Sequence, residues 1–166
     1  AGLPVDLPAL TEKSRTKIAP IVSTVKSASV ILRLWERKYH RLPDLVVVEG
    51  PEAGGHLGFT GEQLEEFTKE RYREEVRSLI RLVKEHGNTH GKDIPVALAG
   101  GIYEKKDVEE AWELGADAVQ LGTRFVTTYE CDAADAYKET YLHARKEDIE
   151  LVKSPVGMPG RAIHNA

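Results

Sequence analysis

A single histidine stands among three glycines directly after an apolar run. Residues 49–59 read EGPEAGGHLGF and follow the segment LVVV. Glycine lets the backbone approach a ligand closely and adopt positive φ, so Gly54, Gly55 and Gly58 could present His56 to a bound molecule. An imidazole can take up a proton at neutral pH. The stretch indicates proton-transfer chemistry at His56, although a tight turn with an ordinary surface histidine would have the same composition.

Two further glycine-rich segments, LAGGI and LGTRF, follow apolar runs later in the chain. A glycine-rich backbone exposes N–H groups that can bind an anion such as a phosphate. Gly100, Gly101, Gly122 and Thr123 suit that role. The other interpretation is that both segments are simply tight turns between a strand and a helix.

A histidine pair at helical metal-ligand spacing lies between these motifs. His86 and His90 are four residues apart, as two ligands on one helix face would be. The intervening Gly-Asn pair is expected to break the helix, because glycine costs about 1 kcal/mol in a helix interior. The sequence therefore predicts solvated loop residues here rather than a metal site.

Short apolar runs alternate with helical patterns along the whole chain. The run DLVVVEG is too uniformly apolar to have a wet face, which is typical of a parallel strand covered on both sides. Strands are predicted at 17–23, 44–50, 93–101 and 117–125. Each is followed by an amphipathic helical stretch, so the chain contains four βα units in series.

Capping residues set the expected helix limits. Ser23 or Thr24 can cap the first helix, and Gly87 and Gly115 are placed to end the second and third. Asp132 is expected to cap the last helix. One apolar face is predicted there, comprising Ala136, Tyr137, Thr140, Tyr141 and Ala144. The segment SPVGMPGRAI is too rich in Pro and Gly for a regular element, and it is either a loop lying over the site or a crossing segment.

Four βα units imply a parallel sheet with right-handed crossovers. The sheet could be an open doubly wound domain or half of an eight-stranded barrel, since both place their sites at the carboxyl ends of the strands. The sequence holds neither GxGxxG nor GxxxxGK[ST], so it does not support a Rossmann or Walker nucleotide site. No linker or composition shift divides residues 1–166, which are expected to form a single domain.

Composition restricts the class of protein. The chain has 166 residues, of which 41% are hydrophobic and 30% charged, so it is long enough for its own core. A net charge of −4 and the absence of an apolar stretch of about 18 residues argue against nucleic acid and membrane partners. One cysteine, Cys131, and no signal-like start favour the cytoplasm. The first residues, AGLPVDLP, resemble the exit of an absent strand, so we expect a fragment.

Four ordered motifs carry a family resemblance. EGPEAGGHLGF, IPVALAGGI, ADAVQLGTRF and VKSPVGMPGRAI together resemble the nitronate monooxygenases, formerly 2-nitropropane dioxygenases, and the related type II enoyl-ACP reductases. Members are FMN-containing TIM (β/α)8 barrels of roughly twice this length. The resemblance implies that this chain is the C-terminal portion of such a barrel, with about four βα units. The remaining half would come from a missing segment or another chain, and a homo-oligomer is one possibility.

The resemblance also assigns roles to residues. It implies that the FMN phosphate lies on the backbone around Gly100, Gly101, Gly122 and Thr123, with Gln120 nearby. It implies that Gly54 and Gly55 let the chain pass close to the isoalloxazine ring, and that His56 projects toward the reacting carbon.

The resemblance implies an enzyme that oxidises alkyl nitronates with O2, using FMN as cofactor and His56 as catalytic base. The first alternative is a flavin-dependent enoyl-ACP reductase that uses NAD(P)H, because the motifs do not separate the two activities. A second alternative is a barrel fragment that is not catalytic and acts as an association module.

Overall fold

The computed structural model describes residues 2–155 and 157–164. The strands in chain order are β1 Ile21–Val22, β2 Val46–Glu49, β3 Gly55–His56, β4 Val96–Ala99, β5 Ala118–Gln120, β6 Ile149–Lys153 and β7 Pro159–Ile163. The α-helices are α1 Leu7–Leu10, α2 Val25–Tyr39, α3 Gly61–Glu66, α4 Lys69–Thr89, α5 Lys105–Glu113, α6 Thr123–Val126 and α7 Asp135–His143. A 3₁₀ turn, Lys146–Asp148, precedes β6.

The main sheet is parallel and its strands neighbour one another in the order β1-β2-β4-β5. A doubly wound sheet reverses its strand order at a switch point, whereas a barrel wall adds each new strand on the same side. The observed order has no reversal. The predicted TIM-barrel portion with four βα units is therefore confirmed, and the doubly wound alternative is wrong.

Side chains alternate between the two faces of this sheet. Val46, Val48, Val96 and Leu98 belong to the large core shared with the helices, while the intervening Val47, Ala97 and Ala99 form a separate buried cluster on the other face. Both faces exclude water, which is why the strand sequences lack a polar repeat.

The first long helix forms as its capping signal predicts. The Thr24 side chain accepts a hydrogen bond from the backbone N–H of Ser27, and the Ser27 hydroxyl accepts one from the N–H of Thr24. Its apolar stripe packs with the stripe of α4 in one buried cluster, which includes Ile31, Leu32, Trp35, Val76, Leu79 and Val83. Helix α5, the third helix predicted from the sequence, ends as expected, with Gly115 at φ +99 directly after the cap residue Leu114.

The predicted end of α4 at Gly87 is wrong, because the helix continues through this residue to Thr89. Gly87 is buried, and a Cβ built on it would overlap the carbonyl oxygen of Lys92 and approach Ile94 Cγ1 to 3.0 Å. Its own carbonyl accepts a hydrogen bond from the N–H of Lys92 at 3.0 Å. Gly87 is therefore a packing glycine that lets the chain turn back against the helix before β4.

Three other expectations at the C-terminal end are wrong. Helix α7 begins at Asp135 after Ala134, so Asp132 lies outside the cap position, and none of the residues of α7 is buried. The predicted strand 117–125 ends at Gln120, and Thr123–Val126 is helical instead. Half of the Pro/Gly-rich segment 154–163 is a regular element, because Pro159–Ile163 forms β7 and pairs antiparallel with β6 from Ile149↔Ile163 to Lys153↔Pro159, while Val156 lies outside the described residues.

Across the residues that the structure describes, no helix combines the length and the apolarity needed to cross a membrane.

The Gly87 contact reverses the usual effect of a glycine-to-alanine change. In an open helix interior, Gly→Ala stabilises by about 1 kcal/mol. We expect Gly87→Ala to lower the free energy of unfolding by roughly 1–3 kcal/mol, the usual cost of overpacking, as measured by urea denaturation. The neighbouring exposed Asn88→Ala is the control and should leave stability unchanged or slightly higher. A more stable Gly87→Ala protein would contradict the packing role.

Candidate functional site

The carboxyl ends of three neighbouring strands lie in one row. Glu49 pairs in register with Ala99, and Ala99 pairs with Gln120. Because parallel strands in register end at the same edge, the segments that follow β2, β4 and β5 start side by side. The three glycine-rich motifs of the sequence therefore meet at this edge.

The loop after β2 carries His56 on a short strand. Gly55 has φ +79, a conformation that favours glycine, and apart from its chain neighbours no atom of the described residues lies within 4 Å of a Cβ built there. Gly55 and His56 pair antiparallel with Arg161 and Gly160 of β7. The main chain of β3 is thus fixed by the C-terminal hairpin, while the His56 side chain remains exposed.

The imidazole of His56 is hydrogen bonded to Ser154, with 2.6 Å between His56 Nε2 and Ser154 Oγ. Ser154 lies between β6 and β7, and its N–H donates to the carbonyl of Met158 at 3.1 Å. Sequence reasoning missed this residue, although it lies within the Pro/Gly-rich segment that the analysis left open. The hairpin lies against the His56 loop, so the segment carries a side chain to the site.

Two of the glycines in GGHLG, Gly58 and Gly54, have different surroundings. A Cβ at Gly58 would overlap the Ser23 hydroxyl, so this glycine lets the loop pack against the end of β1. Gly54 has open space around it, because residues 2–155 and 157–164 place nothing but its chain neighbours within 4 Å of a built Cβ. Gly58 therefore serves packing, whereas Gly54 leaves room beside the loop.

An aromatic cluster packs against the buried side of the His56 loop. Leu57 is fully buried and packs with Ala53 and Phe59. The Phe59 ring meets Phe67 edge-on at 5.6 Å and Tyr72 at 6.2 Å between ring centroids. Such edge-to-face pairs contribute about 0.5–1.5 kcal/mol beyond the burial of their area. His56 consequently projects from a loop with a rigid base.

The turn after β4 requires glycine for the sake of the chain itself. Gly100 and Gly101 have φ +88 and +75. A Cβ at Gly100 would come within 3.0 Å of the Ala53 nitrogen, and one at Gly101 would overlap the Glu52 carboxylate. These contacts account for both glycines as a tight turn packed against the His56 loop, whether or not an anion also binds there.

The turn after β5 differs in this respect. Gly122 has φ −115, which any residue can adopt, and in the part of the chain that the structure describes only its chain neighbours lie within 4 Å of a Cβ built on it. Thr123 directly after it begins α6, and both residues are exposed, as is Gln120 at the end of β5. Gly54, Gly55 and Gly122 therefore border open space at the carboxyl edge, which is what a bound cofactor would require.

Two partly buried ionisable side chains, Glu49 and Tyr72, lie next to the site. Desolvation raises the pKa of the half-buried Glu49 carboxyl at the end of β2. Burial, followed by the charges of Glu49 and Glu75, raises the pKa of the Tyr72 hydroxyl. Tyr72 is therefore a neutral phenol at neutral pH.

The Arg161 guanidinium on β7 donates a hydrogen bond to the carbonyl of Glu52, which is a second contact between the hairpin and the His56 loop.

Comparison with known proteins identifies the family. A family model described as nitronate monooxygenase matches residues 2–166. The chain belongs to the nitronate monooxygenase family. It is 36% identical over 124 residues to the nitronate monooxygenase of Pseudomonas aeruginosa, covering 74% of this chain and 32% of that protein. It is 33% identical over 122 residues to a probable nitronate monooxygenase of Staphylococcus saprophyticus, with 74% and 32% covered. The chain thus matches about a third of the length of these curated relatives.

Solved structures of nitronate monooxygenase relatives agree over nearly the whole chain. FabK from Thermotoga maritima has a TM-score of 0.72 and 31% identity, covering 98% of this chain and 44% of that one. The nitroalkane oxidase of Streptomyces ansochromogenes has a TM-score of 0.67 and 29% identity, covering 99% and 43%. Both likenesses support the barrel architecture of the nitronate monooxygenase family.

The predicted site residues of this family member fall on three adjoining turns. Gly54, Gly55 and His56 lie on the loop after β2, Gly100 and Gly101 on the turn after β4, and Gln120, Gly122 and Thr123 at the end of β5. Their roles toward a cofactor stay predictions.

The bond from Arg161 to Glu52 gives a test of how the hairpin holds the site. Losing it should loosen β7 from the His56 loop, whose Leu57 N–H donates to the carbonyl of Pro159 at 2.9 Å. We expect Arg161→Ala to speed hydrogen exchange of the Leu57 amide about fivefold, equivalent to roughly 1 kcal/mol. Lys153→Ala, at the exposed end of β6, is the control. Equal exchange in parent and Arg161→Ala would rule out this coupling.

Proposed function

We propose that this chain supplies the flavin-binding and proton-accepting residues of an FMN-dependent oxidoreductase that oxidises alkyl nitronates with O2. One observation carries the proposal: an exposed, oriented imidazole, His56, shares the carboxyl edge of the sheet with Gly54, Gly55 and Gly122, whose backbone borders open space. Membership of the nitronate monooxygenase family and the likeness to a nitroalkane oxidase support it.

The open turns suit FMN. In (β/α)8 barrels the loops after the last two strands often bind a phosphate through backbone N–H groups. The turns after β4 and β5 hold Gly100, Gly101, Gly122 and Thr123, with Gln120 beside them. Gly54 and Gly55 leave space next to the loop for a planar ring. When bound, FMN would take electrons from the substrate and pass them to O2.

His56 would serve as the proton acceptor for a neutral nitroalkane, which must lose its α-proton to become a nitronate. The Ser154 hydroxyl can accept a hydrogen bond from Nε2–H, and this tautomer leaves the lone pair of Nδ1 free. The bond also fixes the ring orientation, in the way that the partner of a catalytic base usually does. Ser154 is therefore a positioning residue in this scheme.

A second candidate function is the reduction of enoyl thioesters with NAD(P)H, because the motif GGHxG also resembles type II enoyl-ACP reductases. The enoyl reductase domain of MlnA from Bacillus amyloliquefaciens shares the fold, at a TM-score of 0.63 and 17% identity. Anaerobic reduction of bound FMN separates the candidates. Bleaching by a nitronate alone supports the first, and bleaching by NAD(P)H alone supports the second.

A third candidate is an association module without catalysis. The sheet supplies four strands, and β1 and β5 lie at its edges. In a closed barrel these edges would pair with further strands, from a segment outside this chain, from another chain or from a second copy. A purified chain that scatters light as an oligomer and takes up no added FMN would favour this module over the enzyme.

Gly122 gives the sharpest test of FMN binding. It borders open space at an ordinary φ, so Gly122→Ala should fold normally but intrude on the phosphate. Losing one hydrogen bond to a charged group costs about 1.5–3 kcal/mol, so we expect roughly ten- to hundredfold weaker FMN binding by fluorescence titration. Gly61→Ala, equally unobstructed at the start of α3, is the control. Parent-like affinity of Gly122→Ala would remove this residue from the site. Gly101→Ala is unsuitable, because φ +75 strains any residue with a Cβ and the effect on FMN would be mixed with that strain.

Replacing His56 tests the proton transfer. His56→Asn keeps a polar group of similar size but cannot accept a proton. General-base catalysis is typically worth about 10²–10⁴-fold, so turnover of a neutral nitroalkane should fall by that range, while oxidation of the preformed nitronate persists. Oxygen uptake with each substrate is the measurement, and Ser154→Ala should give a smaller fall with the same selectivity. An equal loss with both substrates would mean that His56 positions substrate or flavin instead.

A further inference from the structure

A second cluster of ligand-type side chains lies on the outer helices, away from the His56 site. Glu36 is in the last turn of α2 and His86 is in the last turn of α4. His90 is the C-cap residue that directly follows α4. In a βα unit the helix runs back toward the amino end of its strand, so the cluster lies at the opposite end of the barrel wall. The predicted loop around this histidine pair was wrong, because α4 continues through Gly87 and Asn88 and keeps both rings on one face.

The three side chains point at one another. His90 Nε2 lies 3.1 Å from Glu36 Oε1, and His86 Nε2 lies 3.7 Å from Glu36 Oε2. One ligand atom from each residue falls within 4.8 Å of the other two. The two rings are tilted by 44° to each other, with 4.7 Å between their centroids. The cluster thus joins α2 to α4 through donors that are 50 or more residues apart in sequence.

The protonation of His90 follows from its partners. Its Nδ1 lies 2.8 Å from the carbonyl oxygen of His86, and a carbonyl only accepts, so Nδ1 carries the hydrogen. Nε2 is then the ring nitrogen that faces a carboxylate oxygen of Glu36, at 3.1 Å. In the metal-free chain a proton on Nε2 bridges these two atoms, and a bound metal ion would replace that proton. A backbone carbonyl that fixes the tautomer in this way is typical of metal-binding histidines.

His86 presents an unsatisfied ring nitrogen. Its side chain is 14% exposed, and its Nε2 is buried with no hydrogen-bond partner among the described residues. Buried polar nitrogens are nearly always hydrogen bonded. Glu36 Oε2 lies 3.7 Å from this nitrogen, which is beyond hydrogen-bond distance, so an ion held between the two atoms would satisfy both.

We propose that Glu36, His86 and His90 form a binding site for a divalent transition-metal ion of the zinc class. Two imidazole nitrogens and a carboxylate oxygen are the donors that Zn²⁺ takes, at about 2 Å each, with water in the fourth position. Small side-chain rotations would bring donors now within 4.8 Å to that geometry. A recess bordered by Glu36, His40 and His90 gives the ion a route from solvent. The bound ion would fasten α2 to α4.

Equilibrium dialysis of the untagged 166-residue chain against ZnCl2 tests the site. We expect one zinc per chain, and a visible absorption spectrum typical of tetrahedral ligation when Co²⁺ replaces zinc. An ion that binds only the folded state at 100 times its Kd favours folding about 100-fold, so zinc should also raise the melting temperature, and EDTA should reverse the rise. Because zinc affinity and melting temperature are independent of flavin, the result does not depend on the function proposed for His56.

Matched variants decide whether these residues bind the ion. His90→Ala and Glu36→Gln should each weaken zinc binding by at least about tenfold, the lower end of what even an indirect ligand partner is worth. His143→Ala is the control, since His143 Nδ1 also lies 2.9 Å from the carbonyl oxygen four residues earlier and pairs with one carboxylate, Glu139. Circular dichroism checks that each variant is folded. Less than one zinc bound by the parent, or parent-like affinity in His90→Ala, would overturn the proposal.

Discussion

The in-register pairing of β2 with β4 joins Val46 to Val96 and Glu49 to Ala99, and both the core and the site depend on it. Because side chains alternate along a strand, this register sends one set of valines into the helix layer and the next set to the opposite face. Shifting it by one residue would exchange the two sets. The same register brings the ends of both strands level, so the His56 loop and the Gly100–Gly101 turn start side by side.

That proximity explains why the site is so rich in glycine. The two turns are packed closely enough that a side chain at Gly100 would crowd Ala53 and one at Gly101 would displace the Glu52 carboxylate, and both glycines have positive φ. A side chain at Gly58 would overlap the Ser23 side chain. Glycines that the motifs alone would assign to cofactor binding are thus explained by packing within the chain. Gly54, Gly55 and Gly122, which border open space, are the positions left for a ligand to explain.

The two ends of the barrel wall differ in what they demand of histidine. His56 is exposed at the carboxyl edge, and one of its ring nitrogens is hydrogen bonded to the Ser154 hydroxyl. His86 and His90 lie where α2 packs on α4, and their Nε2 atoms face the two carboxylate oxygens of Glu36. We propose proton transfer for the first arrangement and cation binding for the second, although the residue type is the same.

Local rules were enough for much of this protein. The apolar runs, the Thr24 cap and the glycine after α5 depend on neighbours in the chain, so the sequence alone determined four βα units and the motifs of the nitronate monooxygenase family. Tertiary structure decided what depends on distant residues. Gly87 continues a helix because Lys92 and Ile94 pack on it, the Pro/Gly-rich tail becomes a strand because Gly55 and His56 pair with it, and Glu36 meets His86 and His90 only once α2 packs on α4. A linear pattern records propensity, whereas these contacts join residues that only the assembled sheet and its helices bring together.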